Sequence, residues 1–246
     1  MQNKKLLLII AGVLLLLCCC TVGGVGAVLL FFTPGSSGTR SITPDNSTTA
    51  NTPTTPAEVT FIADPFDDNK LNEWLEDSVT NEYGTVTRSI TGGKYFWDIA
   101  SKKALSKSVL PTGLGALADG ELSIDGRVVS ADAEAVYGLL FRYSDTSNYY
   151  TVRISEKVKA YSLVVMKQGV STSLVAWTEN SAIKTTGNNL KVSFVGPKIR
   201  IYVNNILIKE VTDSTFDIGW YCLNAEFYGV NQNAKFEFDN FAVRKF

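Results

Sequence analysis

Six side chains in the C-terminal half have the chemistry to hold a polar ligand: Arg142, Arg153, Trp177, Trp220, Asn224 and Glu226. Guanidinium and amide groups donate forked hydrogen bonds, a carboxylate accepts them, and an indole offers a flat apolar face on which a sugar ring stacks. The two arginines sit inside EAVYGLLFRYSDTSNYYTVRIS, two aromatic-rich runs around a short polar break. In a pleated strand Leu139 and Phe141 share one face, and Gly138, Leu140 and Arg142 the other. Across the break Tyr150, Val152 and Ile154 share a face, leaving Thr151 and Arg153 opposite. Arginine is rarely buried without a partner, so both are expected to look away from the core. Two readings then stand side by side. They are cross-strand partners of carboxylates on the outer sheet face, or they donate to a bound glycan. For Trp177 and Trp220 the competing reading is a place in the core.

The chain has no histidine, which excludes Ser-His-Asp and Cys-His catalysis and every histidine metal site. An enzyme here would have to work through carboxylates, Tyr, Lys or Ser. Glu226 and Glu237 fall in strand-like runs, and glycosidases need two such groups roughly 5–10 Å apart across the sugar. Charge argues against nucleic acid. The chain carries 23 basic and 24 acidic residues, residues 58–246 are at about −3, and no basic stripe is present.

Three zones precede or make up the fold. After MQNKK (residues 1–5), Leu6 to Phe32 is a run of 27 residues without a charge. As a helix it measures roughly 40 Å against roughly 30 Å of hydrocarbon, so it predicts a span of the lipid bilayer. A cleaved signal peptide is the rival, but its apolar core is usually shorter, about 7–15 residues. A lipoprotein signal is the other rival; there the residue before Cys18 should be small, and it is Leu17. Lys4 and Lys5 place the N-terminus in the cytoplasm and everything after Phe32 outside the cell. Cys18, Cys19 and Cys20 lie in this run, as plain apolar helix residues or as sites of acylation or dimer contact. Residues 33–57 are mostly Ser, Thr, Pro and Gly, contain an Asn46-Ser47-Thr48 sequon, and predict a disordered stalk.

Residues 58–246 contain one cysteine, Cys222, so no internal disulfide can form there and stability must rest on the core. Period-two alternation dominates, in about a dozen short runs from TVTRSI to AKFEFDNFAVRK, which predicts an all-β antiparallel sandwich. LNEWLE (71–76) offers at most a turn of helix. Asn204-Asn205, Gly196-Pro197 and SDTSN (144–148) read as hairpin turns. Phe236 and Phe238 share a phase, while Phe241 and Val243 share the opposite one, which predicts a β-bulge at Asp239-Asn240.

YGLLFRYSDTSNYYTVRIS, LKVSFVGPKIRIYVNNILIKEVTD, DIGWYCLNA and the terminal FEFDNFAV together resemble the concanavalin A-like jelly rolls. The likeness is to laminin-G-like domains and to the 3-keto-disaccharide hydrolase domain of bacterial surface proteins, over nearly all of residues 59–246. Asn205 stands where that pattern has a hairpin glycine, and Cys222 where it has a strand glycine. The resemblance implies a concave outer face able to bind carbohydrate. It also implies a structural Ca²⁺ where the first and last strands meet, for which Asp64, Asp67, Asp68 and Asp239 are the available oxygen ligands. Solvated loop acids are the other reading of those four. The Glu-x-Asp-x-x-Glu cluster of the related glucanases is absent. The sequence therefore supports a membrane-anchored extracellular recognition module for carbohydrate, with a glycoside-acting hydrolase and a protein-binding adhesion or assembly module as alternatives.

Overall fold

Alternating apolar residues become strands from the first described residue to the last. The computed structural model describes residues 61–246 except 71–72 and 112–114. The expected membrane helix, the stalk with its sequon, and Cys18 to Cys20 lie outside the described residues.

The strands in chain order are β1 (Phe61–Asp64), β2 (Asp77–Asn81), β3 (Gly84–Ile90), β4 (Tyr95–Ser101), β5 (Leu105–Val109), β6 (Gly120–Ala131), β7 (Ala135–Asp145) and β8 (Asn148–Ser155). They continue with β9 (Ala160–Lys167), β10 (Val170–Glu179), β11 (Asn188–Val195), β12 (Lys198–Val203), β13 (Ile206–Thr212), β14 (Trp220–Phe227) and β15 (Asn233–Lys245). A larger sheet runs β13-β12-β11-β6-β15-β4-β3-β2, with β1 also on β15. A smaller sheet runs β10-β9-β8-β7-β14-β5, and every pairing is antiparallel. The last two strands are both interior: β15 lies between β6 and β4, and β14 between β7 and the edge strand β5. This gives the two-sheet all-β sandwich that the pattern predicts.

The sheets close over one apolar layer. Tyr95, Trp97, Ile124, Val192, Phe236 and Phe238 from the larger sheet meet Leu139, Phe141, Tyr150, Val152, Ile154 and Leu223 from the smaller. The phases read for the two arginine-bearing strands hold for these apolar residues. At 25 cal/mol per Å² of apolar area, each such side chain contributes about 1.5–3 kcal/mol.

Irregular backbone appears where turn chemistry demands it. Asn204 and Asn205 both have positive φ, 52° and 66°, as a tight two-residue hairpin requires. Gly196 turns β11 into β12 at φ 51°. The break at Asp239–Asn240 is a bulge: the β15–β6 register slips between Asp239 and Ala242, and Asn240 has φ 51°. It returns both Phe238 and Phe241 to the core. The described part of LNEWLE is not helical. Trp74 there is drawn into the core against Phe66, Tyr95 and Phe241, and its indole N–H donates to Asp64 at 2.6 Å.

Candidate functional site

On the side of the smaller sheet away from the core, β8 presents Arg153 and β14 presents Asn224 and Glu226. Gly138 of β7 lies between them, paired with Arg153 on one side and Asn224 on the other. With no side chain at Gly138, Arg153 reaches across β7 to Glu226, its Nη1 lying 3.2 Å and 3.4 Å from the two carboxylate oxygens. A Cβ at Gly138 would also stand 2.0 Å from the Val152 carbonyl oxygen, so the close approach of β7 and β8 needs glycine here.

The arrangement is held from several strands. Arg153 Nε donates to Ser162 of β9 at 3.2 Å, and its guanidinium lies 5.2 Å from the Trp177 ring of β10. Asn224 donates to Glu226 at 3.1 Å and accepts from Ser108 at 2.9 Å and Ser106 at 3.2 Å, both on β5. The Tyr228 hydroxyl also donates to Glu226. Burial works against the Arg153 charge, but Glu226 outweighs it and holds the guanidinium above its usual pKa. Arg153, Asn224 and Glu226 are buried, whereas Trp177 and Tyr228 are only half-buried. Trp177 and Tyr228 thus form the solvent-facing rim of the cluster.

Four of the six sequence-predicted ligand residues thus meet: Arg153, Trp177, Asn224 and Glu226. Trp220 stands on the same side of β14, about 13 Å from Asn224 at roughly 3.3 Å per residue, and is exposed. Beside it are Tyr143, its partner on β7, and Tyr149 of β8, whose rings are 6.0 Å apart. These tyrosines were not among the predicted residues, although the alternation of β8 already puts Tyr149 in phase with Arg153.

Arg142 does not join them, and the expectation that it faces outward is corrected. The register of β7 slips on both sides at this point, between Phe141 and Asp145 against β8 and between Trp220 and Cys222 against β14. Arg142 itself takes φ 47°. The bulge resets the alternation and sends the guanidinium to the end of the sandwich, where it lies 5.3 Å from the core ring of Phe194. There it donates to the carbonyls of Ala118 (2.8 and 3.2 Å), Gly196 (2.7 Å) and Phe216 (2.8 Å), with the Asp119 carboxylate at 3.7 Å. Burial lowers its pKa, opposed by Tyr150 and Asp119. Its role is to tie three connecting segments to the smaller sheet.

The four acids named for calcium are each engaged elsewhere or stand in solvent. Asp64 accepts from the Phe66 amide and the Trp74 indole, Asp68 pairs with Lys70, and Asp239 accepts from Lys94 at 3.1 Å and from the Asn240 amide. Asp67 is exposed. Among the described residues no group of three or more acids, cysteines or histidines comes together to hold a metal ion. Glu237 is on the other sheet, on its outer face, and so does not pair with Glu226 across a cleft. A carboxylate in phase with Glu226 on the smaller sheet is Glu134, just before β7, which accepts from Ser155 and whose pKa burial raises.

No family model and no curated protein matches the chain. Solved structures do. A carbohydrate-binding module of the CBM66 type from Bacillus subtilis superposes with a TM-score of 0.52 at 20% identity, over 70% of this chain and 96% of that one. The LamAcat structure from Zobellia galactanivorans gives 0.55 at 9% identity, over 77% and 99%. A Bacillus licheniformis beta-glucanase gives 0.52 at 11%, over 76% and 98%. Together with the two-sheet topology, these likenesses define the fold class: residues 61–246 form a concanavalin A-like jelly roll.

Proposed function

We propose that this chain is a carbohydrate-recognition module held outside the cell by an N-terminal membrane helix, and that the ligand lies on the outer side of the smaller sheet. One observation carries the reading. Arg153, Asn224, Glu226 and Trp177, brought from β8, β14 and β10, form one pre-oriented set of donors, acceptors and an aromatic face. Hydroxyl-rich rings take forked bonds from such groups and stack on indole. Tyr143, Tyr149 and Trp220 extend an aromatic surface along the same side of the sheet, which suits an oligosaccharide more than a single sugar. The likeness to a carbohydrate-binding module and to glycan hydrolases fits this reading.

The hydrolase reading has one observation of its own. Glu134 and Glu226 share the outer side of the sheet, linked through Tyr228, whose amide donates to the Glu134 carbonyl at 3.0 Å and whose hydroxyl donates to Glu226. A carboxyl group raised by burial beside an ion-paired carboxylate is the division of labour that glycoside hydrolysis uses. The test is direct. The full chain, in a non-glycosidic detergent, is titrated with a panel of neutral linear oligosaccharides and assayed for their cleavage. Binding without cleavage, lost in Trp177→Ala, supports recognition. Cleavage lost in both Glu134→Gln and Glu226→Gln establishes the hydrolase. Neither binding nor cleavage refutes both.

A further inference from the structure

A cavity of about 310 Å³ opens on the side of the molecule opposite Arg153 and Glu226, on the outer face of the larger sheet. Asp125, Arg127, Asn189, Asn204, Glu237 and Asp239 line it, with Lys94 at its edge. The geometry points to a second, independent binding site for a small neutral polyhydroxylated ligand, one sugar ring in size.

Three separate irregularities build this groove. The bulge at Asp239–Asn240 lifts one wall, and the left-handed Asn204 of the β12–β13 turn forms another. Gly187, at φ 117° before β11, leaves the floor open beside Arg127. The polar groups are fixed rather than free to collapse. Glu237 is buried and held by Arg127 at 2.6 Å and Lys94 at 3.0 Å, and Lys94 also reaches Asp239 at 3.1 Å. Asp125 accepts from Asn189 at 2.7 Å and from Asn240 at 2.9 Å. Asn204 accepts from the Asn189 amide at 3.0 Å and donates to the buried Asn188 at 2.9 Å.

The chemistry of the lining selects the guest. Two cations and three carboxylates share the groove, so a charged ligand of either sign would meet a like charge beside any opposite one. A hydroxyl both donates and accepts, and the lining alternates ammonium, guanidinium and amide donors with carboxylate and amide acceptors. The volume is at the lower end for small-molecule sites, which run from roughly 300 to 1,000 Å³. With no exposed aromatic platform in the lining, binding depends on hydrogen bonds alone, so millimolar affinity is expected.

The site uses none of the residues of the first one, and the two are separable by experiment. The full chain, labelled with ¹⁵N in a non-glycosidic detergent, is titrated with neutral hexoses, each alone and up to high millimolar concentration. At least one should give saturable amide shifts at Gly126, Gly187, Asn189 and Asn204. Arg127→Ala, whose side chain is half exposed and whose fold is checked in the same spectra, should weaken that binding at least about tenfold. Arg127→Lys should recover only part of it, since an ammonium lacks the fork. Arg153→Ala should leave the shifts in place. Absence of saturable shifts at those amides with every hexose, or shifts that persist unchanged in Arg127→Ala, would overturn the inference.

Discussion

Replacing Arg142 by methionine keeps the aliphatic stem and removes four hydrogen bonds to the carbonyls of Ala118, Gly196 and Phe216. A bond from a charged donor contributes about 1.5–3 kcal/mol, but these four share one group, and carbonyls at the end of a sandwich recover some water. The expected loss is therefore about 3–5 kcal/mol, the range for removing one partner from a buried charged network. For a domain of this size each kcal/mol lowers Tm by about 2–4 °C, so Tm should fall by roughly 6–20 °C. Thermal unfolding of the full chain, followed by circular dichroism in a non-glycosidic detergent, reads this directly. Arg142→Lys should restore only a fraction, because a single ammonium cannot span three carbonyls. Oligosaccharide affinity, measured well below the transition, should stay within about twofold of the wild type. The Arg142 guanidinium turns to the end of the sandwich and touches none of Arg153, Trp177, Asn224 and Glu226. A Tm drop under about 2 °C, or affinity lost while the fold is intact, would refute the assignment of Arg142 to the architecture.

Gly138→Ala should cost about 1–3 kcal/mol by forcing β7 and β8 apart, because the new Cβ would meet backbone rather than a movable side chain; denaturant melts check this. Burial works against the Glu237 charge, but Arg127 and Lys94 outweigh it and hold the carboxyl below its ordinary value. A lowered folded-state pKa contributes stability that is present above the unfolded value near 4.5 and lost as pH falls through the folded one. Arg127→Ala should shift the Glu237 titration upward, read by carboxyl NMR, and shrink that loss. Glu156 behaves oppositely: burial raises its pKa against the bonds from the Val128 amide, Tyr137 and Asn188. Its contribution is full below about 4.5 and is lost as pH rises through the folded value. Stability measured by urea unfolding should decline over that window, and Glu156→Ala should shrink the decline, leaving the part that the buried Glu134 contributes.

The fold was legible because its punctuation was written in residue types. Two asparagines at Asn204-Asn205 announced a positive-φ turn, and the clash of phase between Phe236/Phe238 and Phe241/Val243 announced the bulge between them. The bulge at Arg142 carried no such mark. No glycine, asparagine or phase break interrupts LLFRYSD, so strict alternation sent the guanidinium to the wrong side. Arg153, Asn224 and Glu226 kept their alternation, and strand order alone brought them together across Gly138. The groove on the larger sheet was not legible, since it depends on how the middle of β6 near residue 126, the loops near 187 and 204 and the bulge at 239 meet in space. Trp74 was missed as a core residue because LNEWLE has no strand period, and its burial follows from the Asp64 bond and the aromatic pocket around it.

The central claim is that the outer side of the smaller sheet holds a glycan through Arg153, Trp177, Asn224 and Glu226. Tryptophan fluorescence of the full chain, titrated with the panel of neutral linear oligosaccharides, tests it most directly. The account predicts a saturable change with at least one oligosaccharide, abolished in Trp177→Phe and weakened at least about tenfold in Arg153→Lys. No saturable change with any of them, or one that survives both substitutions at wild-type affinity, would contradict it.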